Sequence, residues 1–347
     1  MRAVRFDSFG EMPYVTDVPV PDPPEGGVVV RVAATGLCRS DWHGWQGHDT
    51  DITTLPHTPG HEFAGVVHSV GAGVEQVQVG QRVTVPFVCG CGQCDVCRMG
   101  ASHVCPHQWQ PGVNGPGSFA EFVALPRADF NVVPLPDEVT FAVAAGLGCR
   151  FATAYRAVVD VARVRRGETV AVLGCGGVGL SAVMVAVSLG ATVIATDLDP
   201  AARQLAADLG AVSVLDASRD DMAEQIREAT GGGADVAVDA LGSVATAQAT
   251  TEALAIRGRH VQVGLLPPAV VAGRATVPMH TVIARELQVL GSHGMPAGDY
   301  PRMLQDIADG RLAPEKLLGA TISLDEAPAA LASMNGRTTP GVTIIQP

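Results

Sequence analysis

Residues 169–197 read TVAVLGCGGVGLSAVMVAVSLGATVIATD. The 28 residues from Thr169 to Thr196 carry no charge, as a membrane span would. Five glycines interrupt the stretch, however, and four of them crowd into Gly174–Gly179. The pattern therefore predicts a buried strand, a glycine turn, a buried helix and a second strand ending at Asp197. Gly174-Cys175-Gly176-Gly177-Val178-Gly179 joins the first strand to the helix. Glycines there let the backbone approach a pyrophosphate, and the helix N-terminus adds N–H donors and the positive end of its dipole. Asp197 stands where a carboxylate accepts hydrogen bonds from the adenine ribose hydroxyls. Its charge would repel a 2′-phosphate, which favours NAD over NADP. Arg203, six residues on, either offsets that repulsion or covers the adenine. A tight strand–helix turn without ligand is the competing reading of the glycines alone.

Outward from this stretch the alternation continues. PAARQLAADLG, SVLD, a polar helix near Asp220–Thr230, DVAVDAL, a further helix and RHVQVGLL follow in order. Alternating strands and helices predict a doubly wound α/β unit, a parallel sheet with helices on both faces. Residues 1–90 differ. VVVRVAATG, GHEFAGVVHSVG and VGQRVTVPFV mix β-branched residues with glycine turns and predict a mostly β unit with long loops. An alanine-rich helix is expected over Val139–Asp160, and the helix YPRMLQDIADG and strand GVTIIQP close the chain. The expected division is 1–150, 151–292 and 293–347, with the last segment completing the first unit.

The chain has 347 residues, 47% hydrophobic and 17% charged, enough apolar material for two cores. Net charge is −12, so no basic field exists to hold nucleic acid. Lys316 is the single lysine, which removes Schiff-base and P-loop chemistry elsewhere in the chain. The opening MRAVRFDSFGEMPY lacks an apolar secretory core, and a cytoplasmic protein without membrane attachment is expected.

Five of the eight cysteines fall within 17 residues. Cys91, Cys94, Cys97 and Cys105 have the spacing of a thiolate knuckle that closes a tetrahedron around a structural zinc. Cys89 is left over and reads as a small buried residue, as does Cys175 inside the glycine turn. Cys38, His61 and Cys149 are dispersed, in GLCRSDWH, PGHEFAG and GLGCRFATAY. Two thiolates and an imidazole would make a zinc site with an open fourth position. Spacing does not connect them, and a lone Cys or His is more often a core residue.

Gly36–His43, Gly60-His61-Glu62, the knuckle, Cys149–Thr153, Gly174–Gly179 and Asp197, in this order, resemble the zinc-containing medium-chain alcohol dehydrogenases, in their bacterial branch. The resemblance covers essentially the whole chain. It implies a GroES-like catalytic domain interrupted by a Rossmann domain, two zinc ions per chain and hydride transfer between NAD(H) and an alcohol or carbonyl compound. By this resemblance Cys38, His61 and Cys149 hold the catalytic zinc. Glu62 is a carboxylate able to approach the metal, and Asp41 orients the ligand histidine. Ser40 accepts the substrate proton and His43 ends a relay to solvent. Arg39 meets the pyrophosphate, Thr153 and Val178 pack on the nicotinamide, and Val263 and Leu265 join the cofactor site. Trp42, Trp45, Phe87 and Trp109, with Leu265, are candidates for an apolar substrate wall. The family often carries an arginine in its last strand, where Val342 stands here, with Arg337 upstream as a substitute. A homo-oligomer is implied, a tetramer ahead of a dimer. A polyol or amino-alcohol dehydrogenase of the same architecture is the nearest alternative. A dinucleotide-binding redox sensor is the alternative of a different class.

Overall fold

A computed structural model describes residues 1–336 and 341–347. In chain order, the strands of the N-terminal part are β1 (Arg2–Arg5), β2 (Tyr14–Asp17), β3 (Val28–Leu37), β4 (Phe63–Val70), β5 (Arg82–Thr84), β6 (Phe122–Leu125) and β7 (Val133–Pro134). They are followed by β8 (Thr169–Leu173), β9 (Thr192–Asp197), β10 (Ser213–Asp216), β11 (Ala234–Asp239), β12 (Leu254–Gln262) and β13 (Gln288–Gly291). The chain closes with β14 (Leu318–Ser323) and β15 (Val342–Gln346).

The chain forms two compact units. One comprises Met1–Ala152, Gly294–Gly310 and Pro314–Pro347, and the other Thr153–His293 with Arg311–Ala313. In the first unit β14, β15, β3, β4, β5 and β7 lie side by side, with β6 paired to β3. β3 is the hub. It pairs antiparallel with β4, β6 and β15, so the C-terminal strand completes a sheet begun near the N-terminus. Val28, Val30 and Val32, on one face of β3, pack with Phe63, Val67, Val83 and Val123, as β-branched residues on a pleated surface do. A second core gathers Phe6, Leu37, Trp45, Phe119 and Leu331.

The second unit is the doubly wound sheet. Among the described residues its strand order is β10-β9-β8-β11-β12-β13, with every pairing parallel. The order reverses between β8 and β11, the position where such sheets bind ligands beyond the strand ends. β8 is an apolar run buried on both faces, as a central parallel strand must be. Helix Gly177–Ser188 is buried from Gly179 through Ala186, which accounts for the charge-free stretch without any membrane. No helix among the described residues is long and apolar enough to cross one.

The single helix expected over Val139–Asp160 is not continuous. An α-helix at Phe141–Ala145 gives way to a wide π-helical turn at Leu147–Phe151, then to α-helix at Ala152–Arg156 and a second π-turn at Ala157–Val161. At the first turn the N–H groups of Cys149 and Arg150 donate to Glu62 Oε1, at 3.1 and 2.9 Å. A carboxylate has captured donors that an uninterrupted helix would have used itself, and such turns favour functional sites.

Candidate functional site

Cys38 follows β3 directly and is the N-cap residue of helix Arg39–Trp45. Asp41, in that helix's first turn, is buried and organises three groups at once. Its Oδ2 accepts from the Cys38 N–H at 2.9 Å. Its Oδ1 accepts from the Gly60 N–H at 3.0 Å and from His61 Nδ1 at 2.7 Å. The proton is thereby fixed on His61 Nδ1, and Nε2 is left bare. That Nε2 is buried and has no hydrogen-bond partner. Burial alone would lower the pKa of His61, but the Asp41 carboxylate outweighs it and raises it.

The dispersed cysteines meet at this nitrogen. One ligand atom each from Cys38, His61, Glu62 and Cys149 lies within 4.8 Å of the others. The Cys149 thiol hydrogen-bonds to Cys38 and holds Cys38 well below the ordinary thiol range, while Cys149 itself is raised. A bare imidazole nitrogen beside two cysteine sulfurs, with His61 and Cys38 buried and Cys149 partly exposed, is a donor set that fits zinc.

Glu62 is fully buried, and its carboxylate is not loose. Besides the two backbone N–H groups, it takes Arg150 Nε at 3.2 Å and is ion-paired to the Arg150 guanidinium. Arg150 also donates to the Leu37 carbonyl at 3.0 Å, one residue before Cys38. Gly36 leaves room for this pair, because a Cβ there would lie 2.8 Å from Glu62 Oε2. Burial raises the Glu62 pKa, partly offset by Arg150. No sequence motif assigns Arg150 a role; its place beside Cys149 is the signal for it in the sequence. Val342 is buried with Ala34, Ala145 and Ile344 in an apolar cluster. Arg337 lies outside the described residues.

The four cysteines of the expected knuckle come together. Cys91, Cys94, Cys97 and Cys105 bring their sulfurs within 4.8 Å of one another. Cys91–Cys97 and Cys94–Cys105 stand at 3.9 and 3.7 Å. The edge of a tetrahedron with metal–sulfur bonds of about 2.3 Å is about 3.8 Å. Backbone N–H groups of Cys94, Cys97 and His107 point at the sulfurs from 3.3–3.4 Å, as suits thiolates. Hydrogen bonding from the Gln93 N–H first of all lowers Cys91 to about 6. Cys89 stays outside the cluster. It faces the Pro86 carbonyl at 3.7 Å, and burial pushes its thiol up to about 12.

Ser40 Oγ lies 3.9 Å from Cys38 Sγ. One turn on, the His43 and His48 rings are in contact. Arg39 stacks over Trp42 at 4.1 Å and donates to the Met334 carbonyl, while Trp42 Nε1 donates to Asn335. Phe87 meets the His61 ring edge-on at 6.1 Å between centroids. Trp45 is corrected from a wall residue to a core one. It is 3% exposed, sits in the core with Phe6 and Leu331, and donates to the Glu11 carbonyl. Trp109 likewise packs on the β3–β4 core and covers Gly115.

In the second unit, Gly174 has φ +96°, and a Cβ on Gly179 would lie 1.7 Å from the Gly174 carbonyl oxygen. Nothing lies within 4 Å of the corresponding point on Gly176, so the turn's outer side is open to a ligand. Asp197 accepts from the Cys175 N–H at 2.6 Å and from the Asp199 N–H at 2.8 Å, which aims its carboxylate toward that turn. Arg203 bonds the carbonyls of Asp197 and Leu198. Cys175 packs inward against the Thr196 carbonyl. Thr153 is buried, Val178 and Val263 half-buried, and Leu265 is 69% exposed.

A Rossmann sheet with a glycine turn, a GroES-like β unit and two cysteine-rich donor sets together define a metal-binding dehydrogenase. Comparison with known proteins agrees. Residues 24–137 match the alcohol dehydrogenase GroES-like domain, and residues 177–309 match the zinc-binding dehydrogenase family. The chain is 34% identical over 313 residues to an alcohol dehydrogenase of Geobacillus stearothermophilus, covering 90% of each. It is 31% identical to an NAD-dependent alcohol dehydrogenase of Sulfurisphaera tokodaii, over the full length of both. A solved zinc-binding dehydrogenase from Sinorhizobium meliloti, bound to NADP, superimposes with a TM-score of 0.90 at 31% identity, covering 100% of this chain and 99% of that one. The chain belongs to the zinc-containing alcohol dehydrogenase family of medium-chain dehydrogenases, and is an oxidoreductase of that class.

Proposed function

We propose that this chain interconverts an alcohol and its aldehyde or ketone with NAD(H), using one zinc at Cys38, His61 and Cys149 and a second at the four-cysteine knuckle. The observation that carries the reading is the bare, buried Nε2 of His61, held by Asp41 and facing Cys38 and Cys149. Three protein ligands leave the first zinc an open coordination position, where it would act as a Lewis acid on the alcohol oxygen. NAD⁺ would supply the hydride acceptor.

The chain's own residues then have definite tasks. Asp41 keeps His61 in the ligating tautomer. Ser40 takes the alcohol proton, and His43, lowered by burial, by His48 and by Arg39, is neutral and able to receive it near pH 7. Glu62, held by Arg150 beside Cys38, His61 and Cys149, is a carboxylate able to approach the metal and help exchange its fourth ligand. The N–H groups of the Gly174–Gly179 turn bind the pyrophosphate. Arg39 is proposed as a phosphate contact on the family resemblance. Asp197 binds the adenosine ribose and favours NAD over NADP. Thr153, Val178 and Val263 pack on the nicotinamide. Trp42 and Phe87 line the substrate side, which suits alcohols carrying apolar groups.

A homo-oligomer, a tetramer ahead of a dimer, is part of the same reading. β13 is an outer sheet edge, and its Val289 is 44% exposed. A cytoplasmic location is proposed on the family's chemistry.

The test is absorbance at 340 nm with NAD⁺ and then NADP⁺, across primary, secondary, benzylic and polyol substrates. A rise that a zinc chelator abolishes supports the reading. No rise with any substrate, in protein carrying one zinc per chain, overturns it in favour of a dinucleotide-binding sensor.

A further inference from the structure

Helix Arg39–Trp45 ends in a definite way. The Gly47 N–H donates to the Gly44 carbonyl at 3.0 Å, and the His48 N–H to the His43 carbonyl at 3.0 Å. Gly47 has φ +74°. This is the paired-bond termination that a left-handed glycine makes, and it folds the second residue beyond the C-cap Gln46 back over the last full turn. The contact between those two positions is commonly hydrophobic. Here both are histidine. His43 Nδ1 and His48 Nδ1 stand 3.0 Å apart, so one ring donates to the other. Trp42 packs edge-on against both rings, at 4.8 and 5.5 Å between centroids. A side chain on Gly47 is excluded twice, by φ and by Phe9, whose ring carbon would lie 3.0 Å from a new Cβ.

Resting on the reading of His43 as a proton acceptor, we propose that His48 is a positioning residue acting through His43, the outer half of a two-imidazole proton exit. In alcohol oxidation the proton bonds to His43 Nε2 and the His43 Nδ1–H bond breaks. That proton passes to His48 Nδ1, and His48 releases its Nε2 proton to water. His48 is exposed, so exchange with solvent resets the tautomers. No electrons move and one proton enters for each that leaves. The charged or titratable groups acting on His43 are His48, Arg39, Cys38 and Asp49. His48 is thus the one imidazole among them and the one placed to take the proton outward.

The experiment compares wild type, H48Q, H43Q and the double variant as zinc-loaded protein. Glutamine at 48 keeps an oxygen for the His43 N–H but cannot carry a proton on. Single-turnover alcohol oxidation with NAD⁺ is followed from pH 6 to 9 in dilute buffer, with and without added imidazole. The proposal expects H48Q to be slower by about tenfold, less than the roughly hundredfold or more of a direct general acid or base, because His48 acts one step removed. It further expects a displaced pH profile, rescue by imidazole, and a double variant no slower than H43Q. Nitrogen-15 NMR of the histidine rings, recorded without NAD⁺, should show His43 titrating at higher pH once its neighbour cannot carry charge. An H48Q enzyme with wild-type rate and profile beside an impaired H43Q overturns the role of His48 and leaves that of His43 standing. A loss in H48Q that imidazole does not rescue, with unchanged His43 titration, reduces the contact to packing. A fully active H43Q overturns both.

Discussion

Arg150 and Glu62 form an ion pair with a carboxylate that is fully buried and an arginine side chain only 12% exposed. Glu62 accepts from Arg150 and from two backbone N–H groups, so its lone pairs are well used. Breaking such a pair from one side strands a charge, at a cost of about 3–5 kcal/mol. R150M should therefore unfold at markedly lower urea than wild type. E62Q/R150M, which removes both charges, should recover most of the loss. Urea midpoints of the four proteins form the cycle, and additivity of the two single effects would contradict direct pairing.

The two donor sets should separate by mutation. C38S is expected to abolish turnover, to lower zinc from two to one per chain and to leave the knuckle and the thermal midpoint nearly unchanged. C97S is expected to lose the other zinc and to lower the thermal midpoint, since a closed thiolate site contributes directly to folding. Metal analysis beside calorimetry distinguishes the two. Retained activity in C38S would contradict its role at the catalytic metal.

Gly176 and Gly179 make opposite demands. G179A puts a carbon 1.7 Å from a backbone oxygen and should misfold the turn, reducing soluble yield. G176A meets nothing within 4 Å in the protein and should fold normally. It should nevertheless bind NADH at least about tenfold more weakly, because the methyl occupies the side the pyrophosphate approaches. Fluorescence titration with NADH checks this, and unchanged affinity in G176A would move the diphosphate elsewhere.

His57 sets a pH dependence of stability. It is buried, and its Nε2–H donates to the Gly112 carbonyl at 3.0 Å. Burial holds its pKa below the ordinary histidine value. The unfolded chain then binds a proton where the folded chain does not. The contribution is whole above the ordinary histidine pKa and is lost as pH falls through it toward the lower folded value. Urea midpoints should decline between about pH 7 and pH 5. H57Q, which keeps an N–H donor without the titration, should flatten that decline. An equal slope in H57Q would exclude His57 as the source.

The local chain determined much of this protein. The glycine turn at Gly174–Gly179, the parallel strands around it and the knuckle at Cys91–Cys105 are written in short-range periodicity and spacing. Steric freedom and ligand reach both act over a few residues, so a linear reading captures them. The knuckle's sulfurs stand where four closely spaced cysteines must, and Cys89 is excluded because its thiol turns inward to Pro86.

The rest was decided by the tertiary structure. Nothing in the spacing of Cys38, His61 and Cys149 brings them together, and only the resemblance to a family linked them. β3 and β4 carry Cys38 and His61 to neighbouring strand ends, and the π-turn presents Cys149. The ion pair of Arg150 with Glu62 joins residues 88 apart in sequence, and no local preference encodes it. The three tryptophans are equivalent by composition. Burial sends Trp45 to the core and Trp109 to the β3–β4 packing, while hydrogen bonding ties Trp42 to Asn335. The partnership of His43 with His48 lies between these cases. Gly47 signals the turn, but which side chains it stacks follows only from the backbone geometry of the helix end. Long-range burial and charge pairing depend on which surfaces meet, and the order of residues along the chain does not state that.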